Sequence, residues 1–397
     1  MSDREFSGFQ VNTVADAVRQ PPLDELRAVA RSRRRRSRGL GATALALVAA
    51  LVVTPLVAQS GRFGSAAPVP SSRPGLPGKP GDFTLTGPDS GVDVRVDGCL
   101  LRFARTTDGG RTWSDWDDAR YQASRCEPGP AGSDLEYSVL GDGIYLVYDG
   151  GLRRLSTDHG RTWQDASQVI TAVPAFPATA RPVHCHLTCQ AVDEPLAVDP
   201  SAGKVYRLTG PPPTPFQLFS LYPASDGSIW TTYETGGATV GARSIDRGAT
   251  WTTWTPPTGR QLLALVGVDG REAYQVVSGG DEGTELQRTR DGGQTWSTTL
   301  VDLPKGLHWD LTVGAEGALL AIAETGPQGH RLAEMWVSRD DGQTLTVARG
   351  DGMPVASVSV APGYAWLFVE RPGSGGEADR LLLTRDGSVW SHFLLAS

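Results

Sequence analysis

Lysine is nearly missing from this chain: only Lys79, Lys204 and Lys305 occur, so arginine carries almost all of the positive charge. Positive charge as a whole is short, with 37 Lys and Arg against 44 acids and a formal net charge of −7. Residues 1–38 hold nine Arg and five acids, a net +4, so the remaining 359 residues carry −11. An acidic body argues against nucleic acid or another polyanion as ligand. Helical periodicity is missing beyond residue 81. The common catalytic and nucleotide signatures are missing too: there is no H-E-x-x-H, no G-x-S-x-G, no Walker loop and no EF-hand loop.

Cysteine is scarce, and all four residues, Cys99, Cys126, Cys185 and Cys189, follow the one long apolar run. An even number in that position suits an oxidising compartment. Two of them stand in the densest chemical cluster, His184-Cys185-His186-Leu187-Thr188-Cys189. A soft metal ion is one reading of it. Against this, no further Cys/His pair completes a zinc spacing, and on a strand His184 and His186 share one face while Cys185 points to the other. The cysteines therefore read as two disulfides, Cys185–Cys189 across a small loop and Cys99–Cys126, with no metal and no cofactor.

What is present begins with Leu40–Ala58, apolar throughout and uncharged. At a helical rise it spans roughly 28 Å, about one hydrocarbon core. The basic run Arg31–Arg38, broken only by Ser32 and Ser37, precedes it and places the N-terminus in the cytoplasm. The expected organisation is a cytoplasmic basic segment with a short helix (1–38), a single transmembrane helix (39–58), a Pro/Gly/Ser-rich linker (59–81) and an extracytoplasmic domain (82–397). A cleaved signal peptide is the rival; Leu56 before Ala58 makes a poor cleavage site.

One phrase recurs through that domain. It runs Thr106-Thr107-Asp108-Gly109-Gly110-Arg111-Thr112-Trp113, and returns at Ser156–Trp163, Ser244–Trp251 and Thr289–Trp296. The copy at Ser338–Leu345 has lost its Trp, and the copy at Thr384–Trp390 is one residue short. The Asp positions, Asp108, Asp158, Asp246, Asp291, Asp340 and Asp386, step by 50, 88, 45, 49 and 46. The step of 88 is two periods, so an unmarked unit is expected near residue 200, where Leu196–Leu208 reads as strand, Asp199-headed turn and strand. Seven units of about 45 residues suit four-stranded blades. Each Asp is read as closing an Asx-type turn, each following Gly as free to take positive φ, and the Trp as covering a neighbouring sheet.

The phrase resembles the Asp-box, or BNR repeat, of sialidases, sortilin-like ectodomains, some glycoside hydrolases and photosystem-assembly propellers. The resemblance implies an all-β, seven-bladed β-propeller, with six blades as the alternative, and boxes joining third and fourth strands on the rim, away from the active face. The six box aspartates are then structural, and no residue is assigned to catalysis. Trp113, Trp116, Trp163, Trp251, Trp254 and Trp296 are expected in inter-blade packing. Trp230, Trp309, Trp336 and Trp366 have no assigned face. The Phe/Tyr-Arg-Ile-Pro motif of sialidases does not precede Asp108. The expected role is a binding or assembly module that takes a protein or glycan ligand on the propeller face and is held to the membrane through residues 39–58. An exo-acting glycosidase of the sialidase type is the alternative, which requires three arginines converging on the central axis beside a Tyr and an acid.

Overall fold

Asp-headed turns end one strand and start the next, and the sheets they build repeat seven times. The computed structural model describes residues 83–395, apart from 125–134, 186–188, 190, 211–213, 215, 236–237, 279–282, 304–307, 326–331, 350–354 and 371–377. The segments expected at 1–38, 39–58 and 59–81 lie outside the described residues. Among those described, no helix is long and apolar enough to cross a membrane.

The first sheet is β1 (Phe83–Gly87), β2 (Ser90–Asp97), β3 (Leu100–Thr106) and β4 (Arg120–Gln122). The second is β5 (Leu135–Gly141), β6 (Ile144–Asp149), β7 (Leu152–Ser156) and β8 (Gln164–Asp165), followed by the short helix α1 (Ala166–Val169), which Asp165 caps. The third collects β9 (Thr171–Val173), β10 (Arg181–Pro182), β11 (Leu196–Asp199) and β12 (Lys204–Leu208). Then follow β13 (Gln217–Pro223), β14 (Ile229–Thr235), β15 (Ala238–Ser244) and β16 (Thr252–Trp254), and β17 (Gln261–Gly267), β18 (Ala273–Ser278), β19 (Thr284–Thr289) and β20 (Ser297–Leu303). The sixth sheet is β21 (His308–Val313), β22 (Leu319–Thr325), β23 (Leu332–Ser338) and β24 (Thr346–Arg349); the seventh is β25 (Val355–Ala361), β26 (Tyr364–Glu370), β27 (Ala378–Thr384) and β28 (Trp390–Leu394). Seven four-stranded sheets give the architecture of a seven-bladed propeller, and the six-bladed alternative falls.

Six sheets are simple antiparallel meanders in chain order. The third departs from the repeat. Its order is β10-β11-β12-β9, and β9 pairs with β12 in parallel. The unmarked unit near residue 200 thus has the expected strand–turn–strand at Asp199, with an outer strand borrowed from the chain before it.

The core lies between blades. Phe103 of blade 1 stacks on Tyr145 of blade 2 with centroids 4.5 Å apart. Trp309 stacks on Trp336 at 5.6 Å and packs with Leu286 of blade 5. Period-2 alternation gives each sheet two apolar faces, and neighbours bury both. The ring closes without strand exchange. Phe83 and Leu85 pack with Trp366, Phe368 and Phe393 of the last blade, and Leu394 N donates to Gly109 O at 3.2 Å.

Candidate functional site

The box carboxylates spend their hydrogen-bonding capacity inside their own turns. In the first copy, Asp108 Oδ1 accepts from Thr106 Oγ1 (2.9 Å) and Thr112 N (2.9 Å), and Oδ2 from Thr112 Oγ1 (2.7 Å). Gly110 N donates to Thr106 Oγ1 at 3.1 Å. Asp158, Asp246, Asp291 and Asp340 repeat the arrangement. The short copy uses Ser388 N and Val389 N, both 2.8 Å from Asp386 Oδ1. Donors to the charged form hold it ionised. Side-chain and backbone bonds from Thr112, Thr295 and Thr344 bring Asp108, Asp291 and Asp340 down to about 2, and backbone bonds from Val389 and Ser388 do the same for Asp386. Burial pushes Asp158 and Asp246 up, but bonds from Thr162 and Thr250 outweigh it, and both are lowered.

Each box also locks onto the preceding blade. A Cβ on Gly110 would lie 1.8 Å from Leu394 O of blade 7, and one on Gly387 would lie 3.1 Å from Ala348 Cβ of blade 6. Trp163 of the second box packs on Phe103 and Tyr121 of blade 1 and donates Nε1 to Arg120 O at 2.8 Å. Trp254 stands between Trp230 and Trp296, at 5.7 and 5.5 Å. Trp113, Trp116 and Trp251 join inter-strand and inter-blade clusters, and Trp230, Trp309, Trp336 and Trp366 are buried.

One position of the box carries more than its sequence signals. The residue before the recurring Gly of the box is left-handed as well, at φ 63° for His159, 61° for Arg247 and 64° for Asp341. From there Arg247 donates to Phe176 O (2.8 Å), Pro177 O (2.5 Å) and Ala180 O (2.8 Å). Asp341 reaches Arg288 Nη1 of blade 5 at 2.8 Å, and Arg288 also pairs with Glu272 at 2.5 Å. A hydrophilic residue directly after the box Asp was the only available signal, and it does not name its partner.

The axis presents the remaining surface. In blades 1, 2 and 4 to 7 the first and third strands finish at the end of the ring that carries the boxes, and the first strands start at the other. At the box end, Tyr222 O–H donates to Thr312 Oγ1 (3.1 Å) and accepts from Val313 N (3.2 Å). Thr312 Oγ1 donates to Ala361 O at 2.8 Å, which ties blades 4, 6 and 7 together. Burial raises the Tyr222 phenol. His184 meets the Tyr222 ring edge-on at 5.7 Å. His184, Cys185, Ser220, Leu221, Ala264 and Leu311 help to line a cavity with about 10 Å³ for the centre of a water molecule, room for a single water. At the opposite end, the first residues of β13, β17 and β21, Gln217, Gln261 and His308, are exposed.

Cys185 and Cys189 are joined as a disulfide. Cys99 is also disulfide-bonded, while Cys126 and His186 lie outside the described residues. Among the described residues, no three His, Cys, Asp or Glu side chains are grouped to hold a metal. The first strands of the seven sheets bring a single arginine, Arg181, so the arginine triad of a sialidase-type centre is not assembled on them.

No family model and no curated protein matches the chain. Among solved structures it is similar to a puromycin-hydrolyzing peptidase of Mycobacterium tuberculosis, at 15% identity and a TM-score of 0.46, over 81% of this chain and 52% of that one. The match thus spans about half of the peptidase. It is also similar to YCF48 bound to D1 peptide, at 14% identity and a TM-score of 0.44, over 81% of this chain and 95% of that one. YCF48 from Cyanidioschyzon merolae is similar at 16% identity and a TM-score of 0.43, over 77% and 94%. Likenesses at this level say nothing of activity.

Proposed function

We propose that this chain is a membrane-anchored, extracytoplasmic binding or assembly module that takes a protein or glycan ligand on the end of the ring opposite the boxes. The observation that carries the reading is the division of labour between the two ends. The box end is committed to its own hydrogen bonds and to locking neighbouring blades, and Tyr222 is bonded to Thr312 of blade 6 there. The opposite end offers Gln217, Gln261 and His308 to solvent around the axis. Amide and imidazole groups donate and accept without demanding a charged ligand, as peptide backbones and sugar hydroxyls require. A rigid ring that displays connecting segments is a general scaffold for recognition. The anchor is the apolar segment 39–58, with the basic segment 1–38 in the cytoplasm.

A photocrosslinking amino acid placed in turn at Gln217, Gln261 and His308 in cells should give adducts to a ligand, whereas the same group at Ile245 or Val389, exposed at the box end, should give none. Adducts from the box end alone would reverse the assignment of faces. Deletion of residues 39–58 should release the chain from membranes that otherwise retain it through alkaline extraction. Retention of the deleted form would remove the anchor.

A further inference from the structure

The first strand of blade 4 is paired on both edges, although it is the terminal strand of its sheet. On one edge, Leu221 of β13 stands opposite Thr231 of β14. On the other, axis-facing edge, Cys185 N donates to Leu221 O at 3.1 Å and Leu221 N donates to Cys185 O at 2.8 Å, an isolated antiparallel bridge. The pairing segment comes from between β10 and β11. It is fastened by the Cys185–Cys189 bond, and the Cys189 carbonyl in turn accepts from Ser138 Oγ of β5 at 3.3 Å. Cys189 and Cys185 thus contact the first strands of blades 2 and 4 respectively. The segment covers the cavity bordered by Leu221, Ala264 and Leu311.

We propose that the axis-facing edge of β13 is a latent docking site for an extended peptide, and that Val183–Cys185 covers it under a latch formed by the Cys185–Cys189 disulfide. An exposed strand edge binds through main-chain pairing, and the protein's own segment already uses that mode. The lining of Leu221, Ala264, Leu265 and Leu311 favours a strand with apolar side chains. The latch opens by thiol–disulfide exchange. A dithiol attacks the sulfur of Cys185, a partly exposed residue, the Cys185–Cys189 bond breaks to a mixed disulfide, and the second thiol closes the reductant's own disulfide. The dithiol loses two electrons and two protons, and Cys185 and Cys189 leave as thiols. Cys189 is 4% exposed, so exchange starts at Cys185. This inference concerns a different surface from the Gln217–Gln261–His308 end and stands or falls separately.

The test uses the full chain in detergent. In the oxidised protein the Leu221 amide should be protected from hydrogen exchange. In the Cys185→Ser/Cys189→Ser variant, which leaves Cys99 oxidised, its exchange should rise roughly tenfold or more, while that of Leu265 on β17 stays unchanged. A fluorescent synthetic peptide of residues 181–187 carrying Cys185→Ser should bind the variant and dithiothreitol-treated wild type, but not the oxidised wild type. Should the double variant not fold, Cys185→Ala/Cys189→Ala takes its place, because dithiothreitol also reduces the bridge at Cys99, with tryptophan fluorescence reporting that the ring is intact. Unchanged Leu221 exchange, peptide binding independent of the disulfide, or faster exchange with no peptide binding would each overturn the proposal.

Discussion

Replacing Gly110 with alanine should open the seam where the ring closes. Gly110 sits at φ +81°, and a Cβ there would lie 1.8 Å from the Leu394 carbonyl oxygen and 2.8 Å from its nitrogen. Those atoms are backbone of β28 and cannot swing aside as a side-chain tip does. A left-handed alanine costs about 1–2 kcal/mol. Forcing atoms into a packed contact adds about 1–3 kcal/mol. The loss should therefore be about 3 kcal/mol or more. Gly109 is the internal control. It has φ +72°, but a Cβ there meets only Asp89 Oδ1 at 3.9 Å. Gly109→Ala should show the backbone cost alone, about 1–2 kcal/mol. The difference of about 2 kcal/mol is a factor of roughly 30 in the folding equilibrium. Urea unfolding followed by tryptophan fluorescence reads it, because Trp113 and Trp366 belong to the seam cluster. Equal losses for the two variants would mean that Gly110 does not touch blade 7, and the account of closure would be wrong.

Arg247→Ala removes three bonds to the carbonyls of Phe176, Pro177 and Ala180, in a partly buried setting. Bonds to a charged donor contribute about 1.5–3 kcal/mol each at most, so a total loss of about 2–4 kcal/mol is expected, with new proteolytic cleavage near residue 177 as the local signature. An intact 174–180 segment in the variant would show that Arg247 does not pin it. Acid should also weaken the ring. The carboxylates of Asp108, Asp291, Asp340 and Asp386 ionise at about 2 in the folded chain against 3.8 unperturbed. A lowered folded value means that their stabilisation is complete above about pH 4 and is lost as pH falls through 2. Denaturant midpoints at pH 5, 3 and 2 should fall in that order; a midpoint that rises toward pH 2 contradicts the hydrogen-bonded turns.

Much of the architecture was legible because its signals are local. The last box, Thr384–Trp390, joins the third and fourth strands of its blade, Ala378–Thr384 and Trp390–Leu394. Asp199 heads its turn with bonds from Ser201 Oγ (2.6 Å) and Ala202 N (3.0 Å), although the rest of the phrase has worn away there. The parallel β9 was not legible. Thr171-Ala172-Val173 is a short, largely exposed stretch whose pairing with β12 is set by the chain folding back over an intervening strand pair. The use of His159, Arg247 and Asp341 at left-handed positions was equally hidden, since any residue type there looks like an ordinary turn filler.

The sequence by itself determined the turns, their spacing and hence the number of blades. The Asp108 turn is complete between Thr106 and Thr112, and hydrogen bonds over such short separations form wherever those residue types recur. Only the tertiary structure decided what stands at the axis. Tyr222 meets Thr312 across 90 residues, and Cys185 finds Leu221 on the free edge of another blade. An apolar strand reads the same whichever neighbour covers it. The choice among neighbours is made by packing seven sheets into one closed ring, a constraint that no single stretch of chain contains.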